Sequence, residues 1–182
     1  MSQADVLMTP EYWAAACSHL SKKDRVMKRI IPQFGDACLV SRGDAFVTLA
    51  RSIVGQQISV KAAQSVWNKF AALNKKITPA GVLKLKVDDM RAAGLSARKV
   101  EYLVDLALNF HGKNVSVKEW QQMDDEAIID ELVAIRGIGR WTAEMFLIFH
   151  LMRPNVLPLD DVGLINGISK NYFSGEPVSR SD

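Results

Sequence analysis

Apolar residues recur every three or four positions along most of the chain, the spacing that gathers them on one face of a helix. Two stretches show it clearly, and each follows a serine at the position of an N-cap, Ser59 in the first and Ser96 in the second. Thr-Pro pairs at 9–10 and 78–79 are further helix start signals. Because no alternating run bounded by hairpin turns interrupts the pattern, we predict an all-α fold of short helices. The apolar residues of the two stretches are Ala63, Val66, Trp67 and Phe70, then Val100, Leu103, Val104, Ala107 and Leu108.

The 182 residues suffice for two small lobes, but no linker divides the sequence cleanly. We therefore expect the lobes to interleave along the chain. The prediction is a central helical lobe over residues 44–145 and a terminal helical lobe made of residues 1–43 plus 146–182, so that both chain ends belong to one lobe.

Composition narrows the function classes. Hydrophobic residues make up 48% and charged residues 24%, as in ordinary soluble domains, and the net charge of +3 permits a nucleic-acid partner without requiring one. Two distant cysteines, Cys17 and Cys38, argue against a disulfide framework and a four-cysteine iron–sulfur site. The N-terminus does not resemble a signal peptide, and the longest apolar stretch, around 145–152, is too short to cross a bilayer. We expect a cytoplasmic protein without a membrane partner.

The turn Arg136-Gly137-Ile138-Gly139 between two helical segments carries the strongest chemical signal. Two glycines one residue apart permit positive φ angles and close backbone approach, and Ile138 between them can pack onto the preceding helix. The free N–H groups at the start of the next helix, near Arg140, favour an anion such as a DNA phosphate. The alternative is a tight connector between helices without a ligand.

Two adjacent carboxylates, Asp160 and Asp161, follow the second of these helices after a short loop that contains proline. They are candidates for acid–base or electrostatic catalysis. The alternative is that both cap the N-terminus of the next helix, a role that is compatible with catalysis.

These features occur in an order that resembles a known family. The pattern Leu-x-x-Ile-x-Gly-Ile-Gly-x-Trp-Thr-Ala over 132–143, followed by Pro-x-Asp-Asp over 158–161, is similar to the 3-methyladenine DNA glycosylase II family of the helix-hairpin-helix base-excision superfamily. The segments 53–59 (Ile-Val-Gly-Gln-Gln-Ile-Ser) and 94–99 (Gly-Leu-Ser-x-Arg-Lys) also resemble that family. The resemblance runs from about residue 44 to residue 168.

The resemblance implies a two-lobed fold with a cleft for DNA and the damaged base between the lobes. It further implies a monofunctional glycosylase that flips an alkylated purine out of the duplex and hydrolyses its N-glycosidic bond. The expected substrates are purines of the 3-methyladenine and 7-methylguanine type. Asp161 occupies the position of the family's catalytic carboxylate, which would stabilise an oxocarbenium-like transition state. Asp160 is then expected to contribute more to capping.

Trp141 stands where bifunctional members of the superfamily carry a Schiff-base lysine, so no lyase activity is expected. Its ring and Met145, one turn later, are expected to form the base pocket. The competing interpretation of Trp141 is a core residue at a lobe interface. Glu144 is a second candidate carboxylate, although a structural salt bridge is the favoured interpretation.

The resemblance assigns DNA contacts to three segments. Gln57 and Ile58 would fill the gap left by the extruded base, against an ordinary turn as the alternative. Ser96, Arg98 and Lys99 would contact phosphates, against a solvated basic face. In the hairpin segment the predicted phosphate-binding residues are Gly137, Ile138, Gly139, Arg140 and Thr142.

The remaining expectations concern cofactors, partners and rival functions. No cofactor is expected to be required, although relatives bind Na⁺ or K⁺ at hairpin carbonyls, here those of Val133, Ile135 and Ile138. The expected partner is double-stranded DNA with alkylated bases, bound by a monomer associated with the nucleoid. A non-catalytic helix-hairpin-helix DNA-binding protein is the main rival, and a bifunctional oxidised-base glycosylase/lyase is the other.

Overall fold

The computed structural model describes residues 9–179, and within them every regular element is helical. The all-α prediction is therefore confirmed for the described part of the chain. The first eight and last three residues of the predicted terminal lobe lie outside it. The α-helices are α1 Trp13–Lys23, α2 Arg25–Ile30, α3 Ala45–Gly55, α4 Val60–Ala72, α5 Pro79–Val82, α6 Val87–Ala92, α7 Ala97–His111, α8 Asp125–Val133, α9 Arg140–Phe149 and α10 Val162–Tyr172, with a 3₁₀ helix over Ile31–Phe34.

Helix starts follow the predicted capping residues at three of four places. The hydroxyls of Ser59, Thr78 and Ser96 accept hydrogen bonds from backbone N–H groups three residues later. The start predicted at 9–10 is wrong, because α1 begins at Trp13 after an N-cap residue whose side chain makes no capping bond. There the Pro10 carbonyl accepts a turn hydrogen bond from the N–H of Trp13.

Contacts divide the chain into two compact units, residues 42–146 and residues 1–41 plus 147–182. The first, here called the central unit, contains α3–α8 and most of α9. Phe46, Phe110, Trp120 and Phe146 form a chain of ring contacts with centroids 5.4–6.2 Å apart. Besides Trp120, the fully buried large side chains of this unit are Leu49, Ile53, Val54, Phe70, Met90, Leu103, Leu106, Ile128, Leu132 and Ile135.

The second unit, here called the terminal unit, contains α1, α2, the 3₁₀ helix and α10, and none of these helices has a buried residue. Side-chain hydrogen bonds join its distant segments. The hydroxyl of Tyr12 donates to the Met152 carbonyl at 2.9 Å, and the hydroxyl of Tyr172 donates to Asp24 Oδ2 at 2.9 Å. No helix among residues 9–179 has the length and apolar character needed to cross a membrane.

Candidate functional site

In the turn between α8 and α9, one of the two glycines has the positive φ that the sequence permits. Gly137 has φ +87°, and a Cβ atom placed on it would lie 2.3 Å from Cγ and Cδ2 of Tyr102. The chain therefore passes so close to this ring that only glycine fits. Ile138 is 97% buried, as predicted, and its N–H donates to the Ile135 carbonyl at 3.1 Å.

Gly139 is different, because its φ lies outside the left-handed region and a Cβ on it would meet nothing within 4 Å. The positive φ that the sequence permits at both glycines is therefore adopted at Gly137 and not at Gly139. Its carbonyl accepts the N–H of Ala143 at 3.0 Å, the hydrogen bond with which the first turn of α9 begins. The surface beside Gly139 is open backbone at a helix N-terminus, the type of surface that accommodates an anion.

Two side chains from elsewhere in the central unit fix the turn. Asp105 Oδ2 on α7 accepts the backbone N–H of Arg136 at 2.9 Å and also a bond from Asn109 Nδ2 at 3.3 Å. Gln56 Nε2 donates to the Gly137 carbonyl at 2.8 Å. Sequence reasoning missed both roles, since partners 31 and 81 residues away leave no local pattern.

The loop between α3 and α4 presents the predicted wedge residues to solvent. Gln57 is exposed with φ +58°, and Ile58 is 40% exposed. Lys99 Nζ donates to the carbonyls of Val54 and Gln56 at 2.8 Å each, and burial lowers the pKa of this ammonium group. Lys99 thus binds protein carbonyls, and its predicted phosphate contact lacks support here.

The other predicted phosphate ligands vary in their accessibility. Ser96 caps α7 and is exposed, as is the neighbouring Arg98. Arg140 is exposed, but its guanidinium pairs with Glu126 and, through Nε at 3.1 Å, with Glu144 Oε1. These pairs raise the pKa of Arg140, Glu126 having the largest effect. Thr142 is buried, with 8% of the residue exposed.

Three further residues of α9 differ in burial. Trp141 is 46% exposed, which disfavours the interpretation as a core residue, and Met145 one turn later is half-buried. Glu144 is 7% exposed and forms the i, i+4 salt bridge with Arg140 that was predicted as its structural role.

Asp161 in the terminal unit is the N-cap of α10. Its Oδ1 accepts the N–H of Leu164 at 2.6 Å, and its own N–H donates to the Pro158 carbonyl at 3.0 Å. The expectation that Asp160 does more of the capping is wrong, because the helix begins one residue later than that role requires. Asp160 is exposed and Asp161 is half-buried. The positive end of the α10 dipole attracts a negative charge at this position.

Comparison with known proteins decides the family. Residues 50–180 match the model of the HhH-GPD superfamily base excision DNA repair proteins, and this range includes both the hairpin turn and Asp161. The chain belongs to this superfamily.

Individual members of the HhH-GPD superfamily support a narrower comparison. The chain is 34% identical over 156 residues to DNA-3-methyladenine glycosylase 1 of Schizosaccharomyces pombe, covering 82% of this chain and 68% of that protein. It is 32% identical to the DNA-3-methyladenine glycosylase of Saccharomyces cerevisiae, covering 92% of this chain and 62% of the relative. A solved S. pombe 3-methyladenine DNA glycosylase in complex with abasic DNA matches with a TM-score of 0.79 and 31% identity, over 92% of this chain and 84% of that one. The helix-hairpin-helix glycosylase fold is thereby confirmed.

The hairpin carbonyls named for a cation fit that role chemically. Val133 is the last residue of α8, where terminal carbonyls lack helical donors and the helix dipole favours positive charge. The Ile135 carbonyl accepts one hydrogen bond, from Ile138, and retains a second lone pair. Among residues 9–179 no group of three or more His, Cys, Asp or Glu side chains is arranged to hold a metal ion. Backbone oxygens of this kind suit a hard cation such as Na⁺ or K⁺.

Proposed function

We propose that this HhH-GPD protein is a monofunctional DNA glycosylase that removes alkylated purines, of the 3-methyladenine and 7-methylguanine type, in base-excision repair. The observation that carries the proposal is Asp161, a half-buried carboxylate held at the N-terminus of α10 in the segment that resembles the family's catalytic loop. The identity of 30–34% to three relatives named as DNA-3-methyladenine glycosylases, one of them putative, supports the substrate class.

The proposed chemistry needs one carboxylate and one water molecule. The C1′–N bond of the alkylated nucleotide breaks, and both electrons leave with the purine. Because alkylation at N3 or N7 makes the base cationic, it departs as a neutral molecule without prior protonation. The negative charge of Asp161 stabilises the oxocarbenium-like sugar. Its carboxylate also accepts a proton from the water molecule that adds to C1′.

The other predicted site residues receive complementary roles. The backbone at Gly137–Gly139 and the first turn of α9 hold phosphates, assisted by the exposed Ser96 and Arg98. Gln57 and Ile58 fill the space of the extruded base, and Trp141 with Met145 stacks on it. Trp141 has no amine, so Schiff-base strand cleavage is excluded from the proposal.

We further propose a bound monovalent cation, a monomeric state and a location in the cell. A Na⁺ or K⁺ ion held by the carbonyls of Val133, Ile135 and Ile138 would add positive charge beside the bound phosphate. The protein acts as a monomer, since one chain carries both the hairpin and Asp161. It works in the cytoplasm at the nucleoid, where its substrate would lie.

The test is incubation with methylated genomic DNA, followed by mass spectrometry of the free bases. Release of 3-methyladenine or 7-methylguanine by the native protein, but not by Asp161→Asn, is the expected result. Binding of DNA with no base released would overturn it in favour of the non-catalytic DNA-binding alternative. Borohydride trapping of a covalent protein–DNA adduct would instead indicate a bifunctional lyase.

A further inference from the structure

We propose that Lys99 and Gln56 are positioning residues that join the wedge loop, residues 56–59, to the hairpin turn. The backbone of that turn at Gly137–Gly139, here called the phosphate clamp, would then hold in place the loop on which base extrusion depends. This proposal rests on the proposed function. All the residues involved belong to the central unit.

The Lys99 ammonium group binds two backbone carbonyls. It donates to the carbonyls of Val54 and Gln56, at the C-terminus of α3, with both distances 2.8 Å. Terminal carbonyls of a helix lack helical donors and carry its negative partial charge, so an ammonium group is a favourable partner. The bonded oxygen of Gln56 belongs to the peptide unit that joins it to Gln57. Fixing that peptide plane restrains the φ angle of Gln57.

The next residue, Gln57, has an uncommon backbone conformation. Its φ of +58° lies in the left-handed region, which residues other than glycine seldom adopt. A free loop would relax from it, so contacts on the preceding residue must maintain it. The result is an exposed Gln57 side chain on a restrained backbone, as a residue that must enter a base stack requires.

Gln56 also connects the wedge loop to the hairpin turn. Gln56 Nε2 donates to the Gly137 carbonyl at 2.8 Å, while the Gln56 carbonyl accepts from Lys99. One residue therefore connects the wedge loop to the turn that contacts phosphates. Gly137 is itself fixed against Tyr102. The network orients the wedge relative to the DNA backbone without touching a base.

The experiment is a double-mutant cycle between Lys99→Met and Gln57→Ala, with Lys69→Met as the charge-matched control on an exposed position of α4. The measured quantity is the ratio of affinities for a duplex with a stable abasic analogue and for the undamaged duplex. We expect Lys99→Met to lower this ratio roughly tenfold, the size of a lost charge-assisted hydrogen bond, and to lower it no further in the Gln57→Ala background. Lys69→Met should leave the ratio unchanged.

Equal losses from Lys99→Met in both backgrounds would overturn the proposal, because Lys99 would then act independently of the wedge. If Lys99→Met fails to fold, Gln56→Met takes its place in the cycle, since it removes the donor to Gly137 at similar side-chain volume. Hydrogen exchange of residues 55–60 without DNA provides a readout separate from the glycosylase function. Faster exchange in both variants is expected, and unchanged exchange would overturn the coupling even if base release is normal.

Discussion

The hairpin turn and the Asp161 loop are built on different principles. The turn at Gly137 is fixed by Asp105, by Gln56 and by contact with the Tyr102 ring, and Ile138 is 97% buried beneath it. In the Asp161 loop Leu159 is 46% and Val162 70% exposed, and the Asp161 carboxylate accepts the N–H of Leu164 at the start of α10. A clamp made of backbone groups must have its shape set in advance, whereas a carboxylate that acts through charge needs mainly its position and ionisation.

Asp161 offers the largest test of this difference. Asp161→Asn keeps a capping oxygen but loses the charge, so base release should fall on the order of 10²–10³-fold with little change in stability. Asp161→Ala should show the same loss and also cost about 1 kcal/mol of stability, because the cap is gone. Single-turnover release of 7-methylguanine and urea unfolding measure the two effects separately.

Asp160→Asn is the control for that experiment, because it removes the same charge from the exposed neighbouring residue. It should leave base release within a few-fold of the native rate. If Asp160→Asn is inactive while Asp161→Asn is active, the catalytic carboxylate has been assigned to the wrong residue.

The two hairpin glycines give the next largest effects, and the effects should differ in kind. Gly137→Ala forces a Cβ into the Tyr102 ring at positive φ, so stability should fall by about 2–3 kcal/mol. Gly139→Ala meets open space and should cost less than about 1 kcal/mol, but its methyl group would obstruct an approaching phosphate. Thermal unfolding and binding to undamaged duplex distinguish the two. Native DNA affinity in Gly139→Ala would contradict the backbone clamp.

The sequence predicted those parts of the molecule that depend on neighbours in the chain. Ser59 and Ser96 begin helices because their hydroxyls bond N–H groups three residues away. Ile138 was expected to be buried because it lies between two glycines after a helix. The family motif points to Asp161 as the catalytic carboxylate, but the larger share of capping is expected of Asp160, since the pattern does not determine at which residue the helix begins.

The parts that could not be predicted depend on contacts between distant segments. Nothing in the local sequence distinguishes Asp105 from other polar residues of α7. Its role follows from the hydrogen bond that it accepts from the distant backbone N–H of Arg136. Lys99 in a basic segment suggests phosphate binding, and only the fold shows that its ammonium group faces the end of α3. Arg140 similarly suggests a phosphate ligand, but Glu126 and Glu144 already pair with it.

That pairing predicts a smaller effect on the clamp. Glu126→Gln removes a negative charge beside the start of α9 and releases part of the Arg140 guanidinium, so affinity for undamaged duplex should rise about two- to fivefold at low salt. Glu119→Gln changes the net charge equally at an exposed position outside the pair. Fluorescence anisotropy at several salt concentrations measures both variants. An equal gain in the two would show that net charge alone is responsible.

A final prediction concerns the stability of the segment that leads into the hairpin. Glu131 on α8 accepts hydrogen bonds from Trp120 Nε1 at 2.7 Å and from the N–H of Ser116 at 3.0 Å. Burial alone would raise the pKa of Glu131, but these hydrogen bonds lower it overall. Since its pKa is lower in the folded than in the unfolded state, the carboxylate contributes stability that is complete above the unfolded value, about 4.3, and is lost as pH falls through the folded value.

Glu131→Gln should therefore lower the free energy of unfolding by about 1 kcal/mol at pH 7 and by progressively less toward pH 3. Urea unfolding across that range measures the difference, with Glu119→Gln as the control. If the free energies of unfolding of the native protein and Glu131→Gln differ by the same amount at every pH, the charge of Glu131 does not stabilise α8.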